Sequence, residues 1–401
     1  MTAHPAFPGG TSPHKPFALA HGTHDSPDLI VTELLATLSA AELAADCLGI
    51  IYATEEYSAD YARLAEVLAE NLPTVQWVGA FADGIIANDH EYAGESAVAV
   101  MVLPMPEASW QIFSGTNPLA LNAHTALVHA DPATPDLGPL LEDLAGRTET
   151  GYLFGGLTAI SRDEATQIAD ATRLSGGLTG VGFDARVRVL SRVTQGCMPL
   201  ASEHQITECR SQFVLGLDGR PALDVLLEDL GVDKSAGDSR DGDDILRALP
   251  AERLRNGLLV GLANASQTTH DKPVGFGDYQ VSQLVGIDPE NRLIAVSAEP
   301  AEGNRLLFCT RDRQAARQDL IRACTELRDQ IESESLQILG VHYVSCVARG
   351  AALFGASGAE AEILRHNLGD VPLIGFYANG EIARERLYGF TGVLTLFVAP
   401  A

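Results

Sequence analysis

The sequence predicts an α/β protein built from two related domains, each a mixed or antiparallel sheet covered by helices. The first observation behind this is a motif met twice. Trp77-Val78-Gly79-Ala80-Phe81-Ala82-Asp83-Gly84-Ile85-Ile86 and Leu373-Ile374-Gly375-Phe376-Tyr377-Ala378-Asn379-Gly380-Glu381-Ile382 both read as an apolar strand running into Gly-x-x-Ala-(Asp/Asn)-Gly-x-Ile. The second is that the flanks repeat in the same order. Leu48 to Thr54 matches Leu339 to Ser345, helix-like runs lie at Tyr61 to Glu70 and Glu360 to Leu368, and Ala97 to Leu103 matches Gly392 to Val398. Four segments in register imply an internal duplication, and the period is far too long for a solenoid. The third is the alternation of Arg186, Arg188 and Arg192 with Val187, Val189 and Val193. That pattern is a half-exposed strand of an antiparallel or mixed sheet.

The elements follow in order. Residues 1–28 are rich in His, Pro, Gly, Ser and Thr and read as a disordered leader, without the basic start and apolar core of a secretory signal. A first domain then spans 29–217 and a second 218–401. Leu29 to Leu43 has helical spacing, Leu48 to Thr54 is a continuous apolar strand, and the Tyr61 to Glu70 helix stops before Pro73. Val75 to Ala80 carries the first glycine motif, and Ser96 to Leu103 is a strand closed by Pro104 and Pro106. Pro139 to Leu144 reads as a short helix and Tyr152 to Thr158 as a short strand ending in Gly155-Gly156. Ser175 to Gly182 is dense in glycine, as sharp turns or close backbone approaches require. Val214 to Arg220 is a strand, and Pro221 to Leu230 a helix with proline in its first turn. Asp233 to Asp244 is an acidic, solvated insert without EF-hand spacing. Leu258 to Leu262 and Leu293 to Ser297 are strands. Gln314 to Ile331 is the longest helix, with Ala315, Ile321, Leu327 and Ile331 on its inner side.

Composition narrows the function classes. The 401 residues carry 53 acids against 27 bases, a net charge of −26, which repels phosphate backbones and anionic membranes. Nucleic acid and membrane partners are not expected. No apolar run reaches spanning length, so a cytoplasmic protein is expected. The six cysteines form no Cys-x-x-Cys pair, which argues against a zinc ribbon, covalent haem attachment and a disulfide framework. No Walker loop, His-Glu-x-x-His, Gly-x-Ser-x-Gly or Gly-x-Gly-x-x-Gly after a strand is present.

Two stretches carry a family resemblance. Leu178-Thr179-Gly180-Val181-Gly182, the Arg/Val strand and Gln195-Gly196-Cys197 resemble the N-terminal half of the FIST sensory family. Cys346-Val347-Ala348-Arg349-Gly350, Leu353-Phe354-Gly355 and Pro372 to Ile382 resemble its C-terminal half. The resemblance covers nearly all of the chain after the leader. It implies a ligand-binding module of signal transduction, found beside two-component proteins, and it extends to bacterial members described as haem-binding nitric-oxide sensors. The N-terminal glycine motif departs from the family, with Ala80, Phe81 and Ala82 where Cys, Thr or Ser is frequent.

The candidate ligand-binding residues are Arg349, Gly350, Cys346, Asn379, Gly380 and Glu381. A strand-end guanidinium at Arg349 can fork onto a carboxylate. The alternative is a structural ion pair, with Glu381 as the natural partner. Gly380 permits a turn that exposes amides, and Asn379 offers a donor and an acceptor or serves the turn alone. A carboxylate just past a buried strand, as at Glu381, needs water or a partner. Cys346 is a thiolate if Arg349 lies close, and otherwise an inert buried thiol. Cys197 has the same inert alternative, with less burial expected beside Gly196 and Pro199.

The expected function is a sensory module that binds a small ligand, an amino acid or another small carboxylate. It signals through a two-component or cyclic-dinucleotide protein, because no output domain is visible in the chain. The alternatives are a haem-binding nitric-oxide sensor, with His204, His342 or a cysteine as axial ligand, and a hydrolase or lyase using Cys346 or Glu381. The cofactor is therefore unknown, with haem left open.

Overall fold

A computed structural model describes residues 15–24, 26–38, 47–54, 57, 61–160, 166–170, 172–233, 242–250, 257–263 and 279–401. Most of the acidic insert expected at Asp233 to Asp244 lies outside them. The fold is mixed α/β, as the sequence predicts.

One connectivity occurs three times. In the first module, β2 (Cys47–Thr54) leads through α2 (Tyr61–Asn71) to a parallel neighbour, β3 (Val75–Ala82). A hairpin of β4 (Gly84–Ala87) and β5 (His90–Ala93) follows, and β6 (Ala97–Pro104) returns antiparallel to β2. On the far side of β6 lies β1 (Ala18–Thr23), joined to β2 through α1 (Pro27–Leu38). The second module has β7 (Trp110–Phe113), β8 (Thr125–Ala130), α3 (Leu137–Gly146), β9 (Tyr152–Leu157), the hairpin β10 (Gln167–Ala169) and β11 (Thr172–Leu174), and β12 (Leu178–Phe183). Again β8 is parallel to β9 and antiparallel to β12, which carries β7 on its far side.

The third module opens with β13 (Arg188–Gln195) and is then interrupted. Between Cys197 and Arg311, eight strands numbered β14 to β21 form one antiparallel sheet, covered by α4 (Ala222–Asp229) and α5 (Gly242–Ala248). The module resumes with α6 (Arg313–Ser333), β22 (Leu336–Cys346), α7 (Gly350–Phe354), α8 (Ala359–Leu368), β23 (Leu373–Ala378), the hairpin β24 (Glu381–Ala383) and β25 (Arg386–Tyr388), and β26 (Thr391–Pro400). Here β22 is parallel to β23 and antiparallel to β26, with β13 outside.

Each hairpin leaves its own sheet and joins another module. Strand β4 pairs with β23, β24 with β9, and β10 with β3, closing a ring. The glycine motif explains how. Ile86 stands opposite Gly375, Ile382 opposite Gly155, and Ile168 opposite Gly79. A Cβ on any of these glycines would lie 1.8–1.9 Å from a carbonyl oxygen of the parallel neighbour, at Ile51, Val128 or Tyr343. Each full copy of the motif therefore serves two docking contacts: its Gly receives an Ile from one module, and its terminal Ile, seven residues on, docks on a Gly of another.

The inner faces of the three sheets share a core that includes Tyr52, Phe154, Phe183, Phe376 and Phe397. Helices cover the outer faces: α1 and α2 on the first, α3 on the second, α6 to α8 on the third. At the centre the Tyr52 hydroxyl lies 2.8 Å from His129 Nε2 and 2.6 Å from His342 Nε2.

Four expectations change. The segment Ala18–Thr23, placed in the leader by its composition, is an edge strand, because Phe17 is buried against Phe397 and its amide bonds Leu339. The strand match upstream is one residue out of step: Ile51 faces Gly79 and Tyr343 faces Gly375, so Ile51 corresponds to Tyr343, not to His342. An irregularity between Ile338 and Gly340 takes up the extra residue. On α6 the buried stripe runs through Ala316, Leu320, Ala323 and Leu327, leaving Ile321 40% exposed. Residue 217, the expected domain boundary, ends β16 (Phe213–Leu217) inside the eight-stranded sheet, and the hairpin exchange ties the two halves together.

Candidate functional site

Strand alternation sorts the candidate residues onto two faces of the third sheet. Tyr343 and Ser345 point to the helices, and Val344 and Cys346 point the other way. On the helix side, Arg349 caps α7 and is 1% exposed. Its Nε donates to Glu360 Oε1 at 2.9 Å. Glu360 also accepts from the Tyr343 hydroxyl at 2.6 Å, from Ser345 at 3.0 Å and from the Gly350 amide at 3.4 Å. Arg349 stacks over Phe354 at 5.2 Å and reaches the Thr194 carbonyl. Gly350, at φ 47°, is needed because a Cβ there would press on Tyr377.

This corrects one expectation. The ion-pair partner of Arg349 is Glu360, and the guanidinium is spent inside the protein. Glu360 escaped the sequence reading because it sits in a helix eleven residues downstream. Its signal was its place beside Ile363 and Leu364 on the apolar stripe of α8, where a carboxylate must find a partner.

On the other face, Gln195, Thr391 and Cys346 form one row across β13, β26 and β22, with Glu381 at the start of β24. Glu381 is fully buried. Its Oε2 accepts from the Thr391 amide at 3.0 Å and the Thr391 hydroxyl at 2.7 Å. Its Oε1 has no hydrogen-bond partner among the described residues. Burial pushes the carboxyl up to about 7, opposed by the Thr391 bonds, the Cys346 thiol and the Arg349 charge. Burial also pushes the Cys346 thiol up to about 12, with the nearby Glu381 carboxyl adding to the effect. Cys346 is thus held as a neutral thiol beside the Glu381 carboxyl. Gln195 donates its Nε2 to the Tyr279 carbonyl at 2.8 Å, which fixes the amide orientation, and its Oε1 is also unpartnered. Asn379 is exposed on the turn, and Gly380, at φ 151°, leaves no room for a Cβ beside Leu157.

The structure therefore unites Cys346 and Glu381 with Gln195 and Thr391. Arg349 and Gly350 belong to the separate Glu360 network, and Asn379 to solvent. Cys197, expected to be less buried, is fully buried, and its free thiol hydrogen-bonds to the free thiol of Cys309 between β14 and β21. A surface groove of about 460 Å3 between Phe17 and α8 holds none of the six candidates.

The histidines proposed as axial haem ligands are engaged elsewhere. Both ring nitrogens of His204 meet carboxylates, Asp218 at 2.7 Å and Asp229 at 2.9 Å. His342 is 1% exposed and gives its Nε2 to Tyr52. His204 has no ring nitrogen left for an axial bond in this arrangement, and His342 lies in the core with only its Nδ1 open.

The FIST N domain family model matches residues 47–220 and the FIST C domain model matches residues 222–384. The chain belongs to the FIST family. FIST domains are sensory domains, so the coarse class of function follows. The chain is 27% identical over 372 residues to the uncharacterized protein Rv0628c of Mycobacterium tuberculosis, covering 88% of this chain and 91% of the relative. It is 29% identical over 361 residues to the uncharacterized protein Mb0898c of Mycobacterium bovis, covering 84% and 87%. No helix among the described residues is long and apolar enough to cross a membrane.

Proposed function

We propose that this FIST protein is a sensory module that binds a small polar ligand at the Glu381, Cys346, Gln195 and Thr391 cluster. It passes the signal to a partner protein of a two-component or cyclic-dinucleotide pathway. One observation carries the site. Position 381 has two counterparts in the other modules, fixed by the three glycine contacts: Ile85 and Gln167. The fold accepts an aliphatic or a neutral amide side chain there, so nothing in the architecture demands a carboxyl. A fully buried carboxyl with one oxygen unpaired is costly, and such a cost persists where it serves a ligand. A carboxylate ligand loses the support that a free Arg349 would have given it. The hairpin that begins at Glu381 pairs with β9 of another module, so a ligand at Glu381 would sit beside a contact between modules.

The test is a thermal-shift screen of the full chain with amino acids, amines and small carboxylates, run beside Glu381→Gln. A compound that stabilises the wild type and not the variant supports the site. A screen in which every response survives Glu381→Gln overturns it.

A further inference from the structure

We propose that this site takes its ligand by a cationic, donor-rich group, a primary ammonium or its chemical equivalent, and not by a carboxylate. The inference rests on the reading of Glu381 as the ligand site and adds the chemistry of what is recognised. With Glu381 ionised, the open groups of the cluster are acceptors. Glu381 Oε1 and Gln195 Oε1 are both buried and unpartnered, and both flank Thr391, the first through its hydrogen bond and the second through the β13–β26 ladder. The nearby donors are largely engaged, and the Cys346 thiol already faces the Glu381 carboxyl. The Gln195 amide nitrogen holds the Tyr279 carbonyl, and the Thr391 hydroxyl and amide both hold Glu381 Oε2. The Arg349 guanidinium is bound to Glu360 among the helix-facing side chains of the sheet. A second carboxylate entering here would meet a carboxyl and an amide oxygen, and the Arg349 charge that reaches Glu381 is already paired with Glu360. An ammonium has three donors and no acceptor, which is the complement of this arrangement.

The comparison across modules sharpens the assignment. The residue at the position of Glu381 is Gln167 in the second module, where Nε2 bonds the Gly177 carbonyl and Oε1 is likewise open, and Ile85 in the first. Only the third module places an ionisable acceptor there, so the charge is a property of this site and not of the fold.

The experiment uses the full chain with ethylammonium chloride, acetamide and sodium acetate, each against sodium chloride of equal concentration and each referred to the ligand-free Tm of the same variant. Ethylammonium is expected to raise the wild-type Tm by about 2 °C at concentrations of roughly ten times Kd. Glu381→Gln, which keeps the shape and removes the charge, is expected to abolish that shift, and Arg349→Lys to keep it. A Glu381-dependent shift with acetate or acetamide and none with ethylammonium would overturn the cationic class while leaving the site standing. A panel in which no shift depends on Glu381 would overturn the site itself.

Discussion

The Arg349 guanidinium and the Glu360 carboxylate lie 2.9 Å apart, 1% and 0% exposed, in a pair that no solvent screens. Glu360 gathers four donors, so the pair is hydrogen-bonded on nearly every side. Such a pair is weak support for stability while intact, yet breaking it strands a buried charge. Arg349→Ala is expected to cost about 3–5 kcal/mol in urea denaturation. The double variant Arg349→Met with Glu360→Leu should recover much of that loss. If the double variant is as unstable as the single, desolvation is not the dominant cost.

Glu381 makes the opposite prediction. Its folded carboxyl titrates near 7 because of burial, well above the ordinary range. Between the ordinary glutamate range and pH 7 the folded protein holds a proton that the unfolded chain has released. Stability therefore falls as pH rises through that window, and the penalty is complete above pH 7, of order 3 kcal/mol. Glu381→Gln should then be more stable than the wild type at pH 8 and should match it near pH 4. Chemical denaturation at both values checks this, and a variant less stable than wild type at pH 8 contradicts it.

The buried histidines set an acid limit. Burial pushes His129 and His342 down to about 3, and each leaves Nδ1 unpartnered. Below the ordinary histidine range the unfolded chain takes up protons that the folded core refuses. Stability should fall from about pH 6.5 towards pH 4 by roughly 3 kcal/mol per histidine. The counterparts of His342 are Ile50 and Leu127, which face the residues before Gly79 and Gly155. His342→Leu should therefore flatten the acid limb of a stability–pH curve. An unchanged slope would place the acid sensitivity elsewhere.

The ring of hairpins predicts a sharp glycine dependence. Gly79→Ala, Gly155→Ala and Gly375→Ala each force a methyl to within 1.8–1.9 Å of a backbone carbonyl. Neither backbone partner can yield without breaking the parallel ladder. Each variant is expected to lose more than about 4 kcal/mol, seen as loss of soluble protein or of a cooperative melt. Gly146→Ala, at the exposed end of α3 with nothing within 4 Å, should shift Tm by less than about 2 °C.

By itself the sequence determined the α/β class, the doubled Gly-x-x-Ala-(Asp/Asn)-Gly-x-Ile motif, the main strands and helices around it, and the family. These rest on local apolar periodicity and short-range spacing, which a linear reading can count. The middle module stayed hidden because its motif is eroded to Phe154-Gly155-Gly156-Leu157-Thr158 and only its strand pairing identifies it. The tertiary structure alone decided that Gly375 receives Ile86, that Glu360 and not Glu381 holds Arg349, and that Gln195 stands beside Thr391. Those contacts join residues between 11 and 289 positions apart. Their partners are chosen by sheet register and hairpin exchange, and the alternation of a strand decides which of two neighbours, Ser345 or Cys346, meets the Arg349 network or the open carboxyl.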